Sequence, residues 1–457
     1  MVLDTQALRL PTEAVYHRNF IDGQWLYPAA AYAYDIFSPS DGTVSASVPL
    51  SSHTDVSRAI AAAQQAQHGP WADTDRRGQL LAQLLASLAD LAPELAQLQA
   101  TETALSHADS AATIDATLRL ARVVLTRTAI NKPAPRPGVS GHILSWGLPF
   151  SEMLINVFAA LAAGASVVVK PSLRGPLSPI AVALAASHVG FPPGAINVVQ
   201  GTGPDVGAAL IGSRLLTHLH VHGNDITLSR ARRAAQRSRV LLSTLSAGGN
   251  AAIVSPDVGR GQIASLAAET AAAVRMNSAG GPFGLPIVAI HQAVAPVVLD
   301  AILAEVTSVA PAPLPVEPLR WRAMERLDTL RVGGGRVLAG GAIPDDIEHR
   351  MGWRIPATVI DLGDAERATA LLRSAGEPLG PILTVLRWRN HDELHALFTA
   401  ARHRDGYAGT WGDGLGDEQL QFGVIVREQS PLQAAYSGLV PSAWSGDTAP
   451  CANGGPG

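Results

Sequence analysis

Residues 161–203 read LAAGASVVVKPSLRGPLSPIAVALAASHVGFPPGAINVVQGTG. Within them Ala165 to Val169 is a short, continuously apolar run, Ser178 to Val189 has helical spacing and is closed by Gly190, and Ile196 to Val199 is apolar again. Strands apolar on both faces and separated by a helix are what a parallel sheet covered on both sides requires. The alternation extends outward, with strands at Val139 to Leu144 and Leu216 to Val221 and helices at Glu152 to Ala163 and Thr227 to Arg237. A doubly wound α/β domain follows, with its ligand beyond the C-terminal strand ends.

Further from this stretch the pattern is mixed. Asn19 to Trp25 and Tyr34 to Pro39 read as short strands, the second ending near the Asp41-Gly42 turn. Thr54 is placed to cap a helix from Asp55 to about Gln67, and Arg77 to about Glu102 carries leucines at helical spacing. A second α/β unit is expected from Leu241, with strands at Ala251 to Val254, Ile287 to Ile290, Arg336 to Leu338, Ala357 to Ile360 and Ile382 to Arg387.

Composition excludes several classes. The 457 residues are 47% hydrophobic and 16% charged with net charge -4, which argues against a disordered chain and against a nucleic-acid surface. The most apolar stretch, Met153 to Val169, is interrupted by Asn156, Gly164 and Ser166, so no membrane span is expected. The single cysteine, Cys451, permits no intrachain disulfide and no cysteine-rich metal site, which fits a reducing cytoplasm. All 34 basic residues are arginine except Lys132 and Lys170, so a lysine calls for a reason of its own.

Several motifs, in order, resemble the aldehyde dehydrogenase superfamily: NFIDGQW (Asn19 to Trp25), GPW (Gly69 to Trp71), PGVSGHILSWGLPF (Pro137 to Phe150), LAAGASVVVKPS (Leu161 to Ser172), GFPPGAINVVQGTG (Gly190 to Gly203) and EPLGP (Glu377 to Pro381). The resemblance implies a Rossmann-type dinucleotide-binding domain at 1–127 and 138–240, and a truncated oligomerisation hairpin at 128–137. A catalytic-type α/β domain at 241–426 and a shortened C-terminal segment with a disordered tail at 427–457 complete the expected organisation. It also implies that Leu144, Trp146, Lys170, Ser172, Gly203, Gly207, Gly223, Asn224, Glu377 and Leu379 line an NAD or NADP site, Lys170 at the adenosine ribose and Glu377 at the nicotinamide ribose. That site departs from the family pattern: Asp225 would repel a pyrophosphate, Leu228 stands where the family has glycine, Leu173 replaces a ribose-binding glutamate, and Leu379 replaces phenylalanine. The arginines at 230, 232, 233, 237 and 239 read as a solvated helix face rather than an NADP phosphate site.

The family's chemistry uses a cysteine thiolate, an asparagine that holds the oxyanion and a glutamate that activates water. By motif alignment these positions hold Pro282, Gly147 and Ser246. The expectation is a fold that has lost thiol-dependent aldehyde oxidation and serves as a binding or partner subunit for an unidentified small molecule, with no metal. Different chemistry in the inherited cleft, or a divergent NAD(P)-dependent aldehyde oxidoreductase, remains the alternative. His220 and His222 flank Val221 on one strand face and offer a metal or proton-shuttle reading, although a pair without a third ligand reads first as structural. Ser278 lacks an adjacent base. With TAINKPAPR at Thr128 to Arg136 in place of a hairpin, a tetramer is not expected, leaving a homodimer or association with another protein.

Overall fold

The computed structural model describes residues 16–29, 32–103, 105–131, 138–246, 248–279, 284–345, 352–376, 379–399, 406–412, 420, 422 and 424–427. Its strands in the N-terminal half are β1 (Asn19–Ile21), β2 (Gln24–Leu26), β3 (Ala33–Phe37), β4 (Val44–Pro49), β5 (Val139–Ile143), β6 (Ser166–Lys170), β7 (Ile196–Val198), β8 (His218–Gly223) and β9 (Leu241–Ser246). Seven of them form one sheet in the order β2-β1-β7-β6-β5-β8-β9, while β3 and β4 pair as a separate ribbon. From β7 to β9 every pairing is parallel. The chain goes from β5 outward to β6 and β7 and then returns to the other side of β5 for β8 and β9, so the order reverses between β5 and β8.

Helices cover both faces, as the continuous burial of β5 and β6 demands. On one side lie α1 (His53–Ala66) and α6 (Asp225–Ala235), which bury Ala59, Ile60, Leu228 and Ala231 against Val139, Ile143, Leu219 and Val221. On the other lie α2 (Thr74–Asp90), α3 (Ala92–Glu102), α4 (His107–Asn131) and α5 (Leu177–Val189), together with a helix at Pro149–Glu152 that passes through a π turn, Met153–Val157, and resumes at Phe158–Ala162. Trp71 of the GPW motif is fully buried there, and its indole donates to the Ala165 carbonyl at the entrance to β6 (2.9 Å).

The second half has β10 (Ala251–Val254), β11 (Ile287–His291), β12 (Ala312–Pro313), β13 (Arg336–Ala339), β14 (Arg354–Ile355), β15 (Thr358–Asp364), β16 (Ile382–Trp388), β17 (Tyr407–Trp411) and β18 (Val424–Arg427). Its main sheet runs β13-β15-β16-β11-β10-β17-β18, parallel except where β13 meets β15. Helices α7 (Arg260–Ala279) and α8 (Ala295–Val306) pack on one face, and α9 (Glu317–Val332), α10 (Ala365–Ala375) and α11 (His391–Leu397) on the other.

The expected elements are present, with corrections of local origin. Asn19 to Trp25 is a hairpin rather than one strand: Asp22 and Gly23 take left-handed φ of 54° and 72°, the geometry that turns one strand back along its neighbour. The cap of α1 is Ser52, not Thr54. Its hydroxyl accepts the Thr54 N–H (3.3 Å), and the Asp55 carboxylate accepts the Ser52 N–H (3.0 Å). Arg77 to Glu102 is two helices broken at Leu91, because Pro93 suits the first turn of a helix and not its interior. The first sheet ends at Ser246 rather than at residue 240, since Leu241–Ser246 hydrogen-bonds to β8. Thr128 to Asn131, read as part of a shortened hairpin, is the last turn of α4, and 132–137 lie outside the described residues, as do 428–457.

Candidate functional site

Parallel strands deliver their C-terminal ends to one edge of the sheet, and the register brings the expected residues to that edge. Ile143 pairs with Lys170 and with Val221, and Gly223 pairs with Ser246. Leu144 to Gly147, Lys170 to Ser172, Gly223-Asn224 and Ser246 are therefore neighbours around the reversal point of the strand order, with Gly203 and Gly207 following β7. Trp146 leaves this edge and packs, half-buried, on the core of the second half, where Leu379 packs as well. Arg275 of α7 pairs with Asp109 of α4 across the two halves (3.5 Å).

Lys170, expected at an adenosine ribose, is buried at the end of β6 and donates to the carbonyl of the next residue, Pro171 (2.5 Å). Burial pushes its ammonium down to about 8. Ser172 closes a short turn by accepting the Arg174 N–H (3.3 Å). The space expected beside the glycines is there: a Cβ on Gly203 would meet nothing within 4 Å, and one on Gly207 would meet only ordinary contacts with Lys170 and Thr202.

The start of α6 is arranged differently. Asn224 caps it, its side-chain oxygen accepting the Thr227 N–H (3.0 Å), and its carbonyl accepts the Leu228 N–H (2.9 Å). One first-turn donor is therefore used internally, and the exposed Asp225 carboxylate sits in the same turn. Leu228, expected to crowd the turn, instead points into the core and is fully buried with Val221 and Ala231. Arg230, Arg233, Arg237 and Arg239 are exposed, while Arg232 reaches Thr244 (3.4 Å).

At the positions aligned with the family's chemistry, Gly147 is buried and carries no side chain, and Ser246 is buried with its hydroxyl accepting the Gly248 N–H (3.3 Å). Pro282 and Glu377 lie outside the described residues, as does the side chain of Ser278. The described residues that follow are held by two amides: Asn277 donates to the Leu285 carbonyl (3.1 Å) and Asn250 to the Gly284 carbonyl (2.8 Å). Three residues near this edge, Glu152, His142 and His218, went unread in the sequence. Glu152 accepts the Ser145 N–H (2.7 Å), and His142 joins His218, His220 and His222 in one buried row. A glutamate at the predicted start of a helix gave no sign that it turned back to the preceding backbone. Among the described residues no group of three or more His, Cys, Asp or Glu is placed to hold a metal ion, and no helix is long and apolar enough to cross a membrane.

A doubly wound half joined to a second parallel α/β half is the architecture of the Rossmann-type α/β class. The chain belongs to the aldehyde dehydrogenase family, whose model matches residues 25–403. It is 29% identical to geranial dehydrogenase from Castellaniella defragrans over 409 residues, 82% of each chain. A solved structure of PnpE in complex with nicotinamide adenine dinucleotide superposes with a TM-score of 0.80 at 25% identity, covering 91% of this chain and 90% of the other. Lactaldehyde dehydrogenase from Escherichia coli shares the fold at 20% identity, with a TM-score of 0.79 and 91% of each chain covered.

Proposed function

We propose that this family member does not oxidise aldehydes through a thiol and acts instead as a binding or partner subunit built on the aldehyde dehydrogenase fold. One observation carries the reading: the chain has a single cysteine, at 451, and so none within the matched residues 25–403. The oxyanion and general-base positions, Gly147 and Ser246, add to it, because neither an absent side chain nor a serine hydroxyl replaces an amide donor or a carboxylate base. Relatives named as dehydrogenases make an aldehyde or a similar small carbonyl compound the natural ligand class for the cleft.

The dinucleotide site fits NAD(P) at one end only. Lys170 and the open space at Gly203 and Gly207 suit an adenosine ribose, whereas the self-capped α6 with Asp225 in its first turn opposes a pyrophosphate. Weak cofactor binding follows, and association with a second copy or another protein is the remaining route to a role.

The test is a panel of aldehydes with NAD and NADP, run with and without a thiol reagent, alongside calorimetric titration of both cofactors. No turnover above the uncatalysed rate is expected. Turnover that a thiol reagent abolishes would sink the proposal, and turnover insensitive to it would move the reading to different chemistry in the same cleft.

A further inference from the structure

Four histidines stand buried on one face of the first sheet, His142 on β5 and His218, His220 and His222 on β8. The register sets His142 opposite His220 and Ser140 opposite His218, with the His142 ring 5.9 Å from that of His220 and 6.4 Å from that of His218. The Ser140 hydroxyl lies 2.8 Å from Nε2 of His142 and 3.1 Å from Nδ1 of His218, and the Ser243 hydroxyl lies 2.9 Å from Nδ1 of His220. Nδ1 of His142, Nε2 of His220 and Nε2 of His222 are buried without a hydrogen-bond partner among the described residues.

The row ends on a carboxylate. Oε1 of Glu152 is 2.8 Å from Nδ1 of His222, though not aligned for a hydrogen bond, and its other oxygen holds the Ser145 N–H. Ser145 begins the segment that carries Trp146 and Gly147 at the cleft.

The surroundings of the row are apolar or neutral. β6 presents Val167 and Val169 to this face and β9 presents Ser243, while α4 lies against the helix that carries Glu152, the Thr117 hydroxyl meeting Ser151 (2.7 Å). Lys170 is turned to the opposite face, against Gly207. Glu152, on the helix Pro149–Glu152, faces the row among the described residues and lies against His222.

We propose that the histidine row is an acid-operated latch: neutral rings hold β5 and β8 together beneath the cleft, and protonation of the row in mildly acidic medium parts the two strands and frees the Ser145 to Gly147 segment. The physical basis is that two cations placed ring to ring in a dry sheet repel, and among the described residues the carboxylate of Glu152 lies beside His222 rather than beside the facing pair His142 and His220. Burial lowers His142 well below the ordinary histidine value and pushes His220 down to about 3, with the neighbouring histidines adding to both.

The sign follows from these directions. The unfolded chain takes up these protons near pH 6.5 and the folded one only far below, so stability is lost as pH falls through about 6.5. Two such groups change the unfolding constant by up to about a hundredfold per pH unit.

The experiment measures urea unfolding of the full chain from about pH 8 to 5, for the wild type and for the His142→Gln, His220→Gln double variant. The difference between the two cancels all other titrations. The variant should gain on the wild type by at least about tenfold per pH unit below pH 6.5, approaching a hundredfold. Hydrogen exchange of the wild type on acidification should expose 139–148 and 218–223 before 251–254 and 287–291. Parallel pH curves for the two proteins, or earlier exposure of the second sheet, would overturn the proposal. Should the double variant not fold, NMR of histidine-labelled wild type decides: the rings of His142 and His220 silent until the strands open support the latch, and either of these two titrating near pH 6.5 in the folded protein refutes it.

Discussion

Glu102 offers a direct measurement of how far the cofactor half depends on a single long-range contact. It ends α3, is buried, and reaches across to the start of α5, 75 residues further on. Oε2 accepts the Leu177 N–H (2.6 Å), and Oε1 accepts the Ser178 N–H (2.9 Å) and the Ser178 hydroxyl. The helix has no cap of its own, because Pro176 at the cap position supplies no side-chain acceptor. Glu102→Ala therefore leaves three buried donors unpaired. At about 1–3 kcal/mol each, reduced by water entering the space, the loss comes to about 4 kcal/mol. For a protein of 457 residues that is a fall in Tm of about 4 °C. Glu102→Gln keeps one acceptor oxygen and turns an NH2 toward the Leu177 N–H, so it should cost about half as much. Thermal and urea unfolding of the three proteins provide the assay. A loss below about 1 kcal/mol for the alanine variant would show that α5 holds its first turn by other means and would refute this account.

The same pair yields a pH signature. Burial pushes the Glu102 carboxyl up to about 7, against the pull of its donors. A raised acid favours the folded state at low pH, and its contribution is lost as pH rises from about 4.5 through 7. The gap between wild type and Glu102→Gln should accordingly be wider at pH 5 than at pH 8, the reverse of the direction expected for the histidine row. A gap independent of pH would count against a raised carboxyl.

Three further outcomes are expected. Asp225→Ser removes the carboxylate from the first turn of α6 and should tighten NAD binding about threefold to tenfold at low salt, with the gain shrinking as salt is added; calorimetry at two ionic strengths reads both, and no change would mean the turn lies away from the phosphates. Pro282→Cys alone should give no aldehyde oxidation, since thiol, oxyanion donor and base act as a unit, and turnover from that one change would show Gly147 and Ser246 to be wrongly assigned. Gly194→Ala should destabilise by more than about 2 kcal/mol in urea unfolding, because Gly194 has φ +78° and a Cβ there would sit 2.2 Å from the Ala62 carbonyl oxygen; a neutral substitution would mean that the turn can shift.

The parallel sheet was legible because its strands are short apolar runs bounded by glycine, proline and helix, as at SVVVK and AAIV. The motif edges were legible for the same reason, since Lys170, Gly223 and Ser246 each end a strand. What stayed hidden depends on contacts distant in sequence. His142 and His218 lie 76 positions apart in chains of otherwise ordinary strand residues, and only the pairing of β5 with β8 makes them neighbours. Glu102 likewise reads as the polar end of a helix until α5 is placed against it. The strands β17 and β18 went unread because YAGTW is interrupted by glycine and VIVR ends on a charged arginine, so neither is a continuous apolar run like AAIV.

Asn224 and Lys170 share a property that bears on how such a protein changes over time. Each directs its polar group to a neighbouring stretch of its own backbone, Asn224 to Thr227 and Lys170 to Pro171. At these two points the edge of the sheet satisfies its polar groups with its own backbone. A site in that condition is released from the need to keep a guest in order to stay folded, and its residues are free to drift toward a different guest while the scaffold beneath them stands.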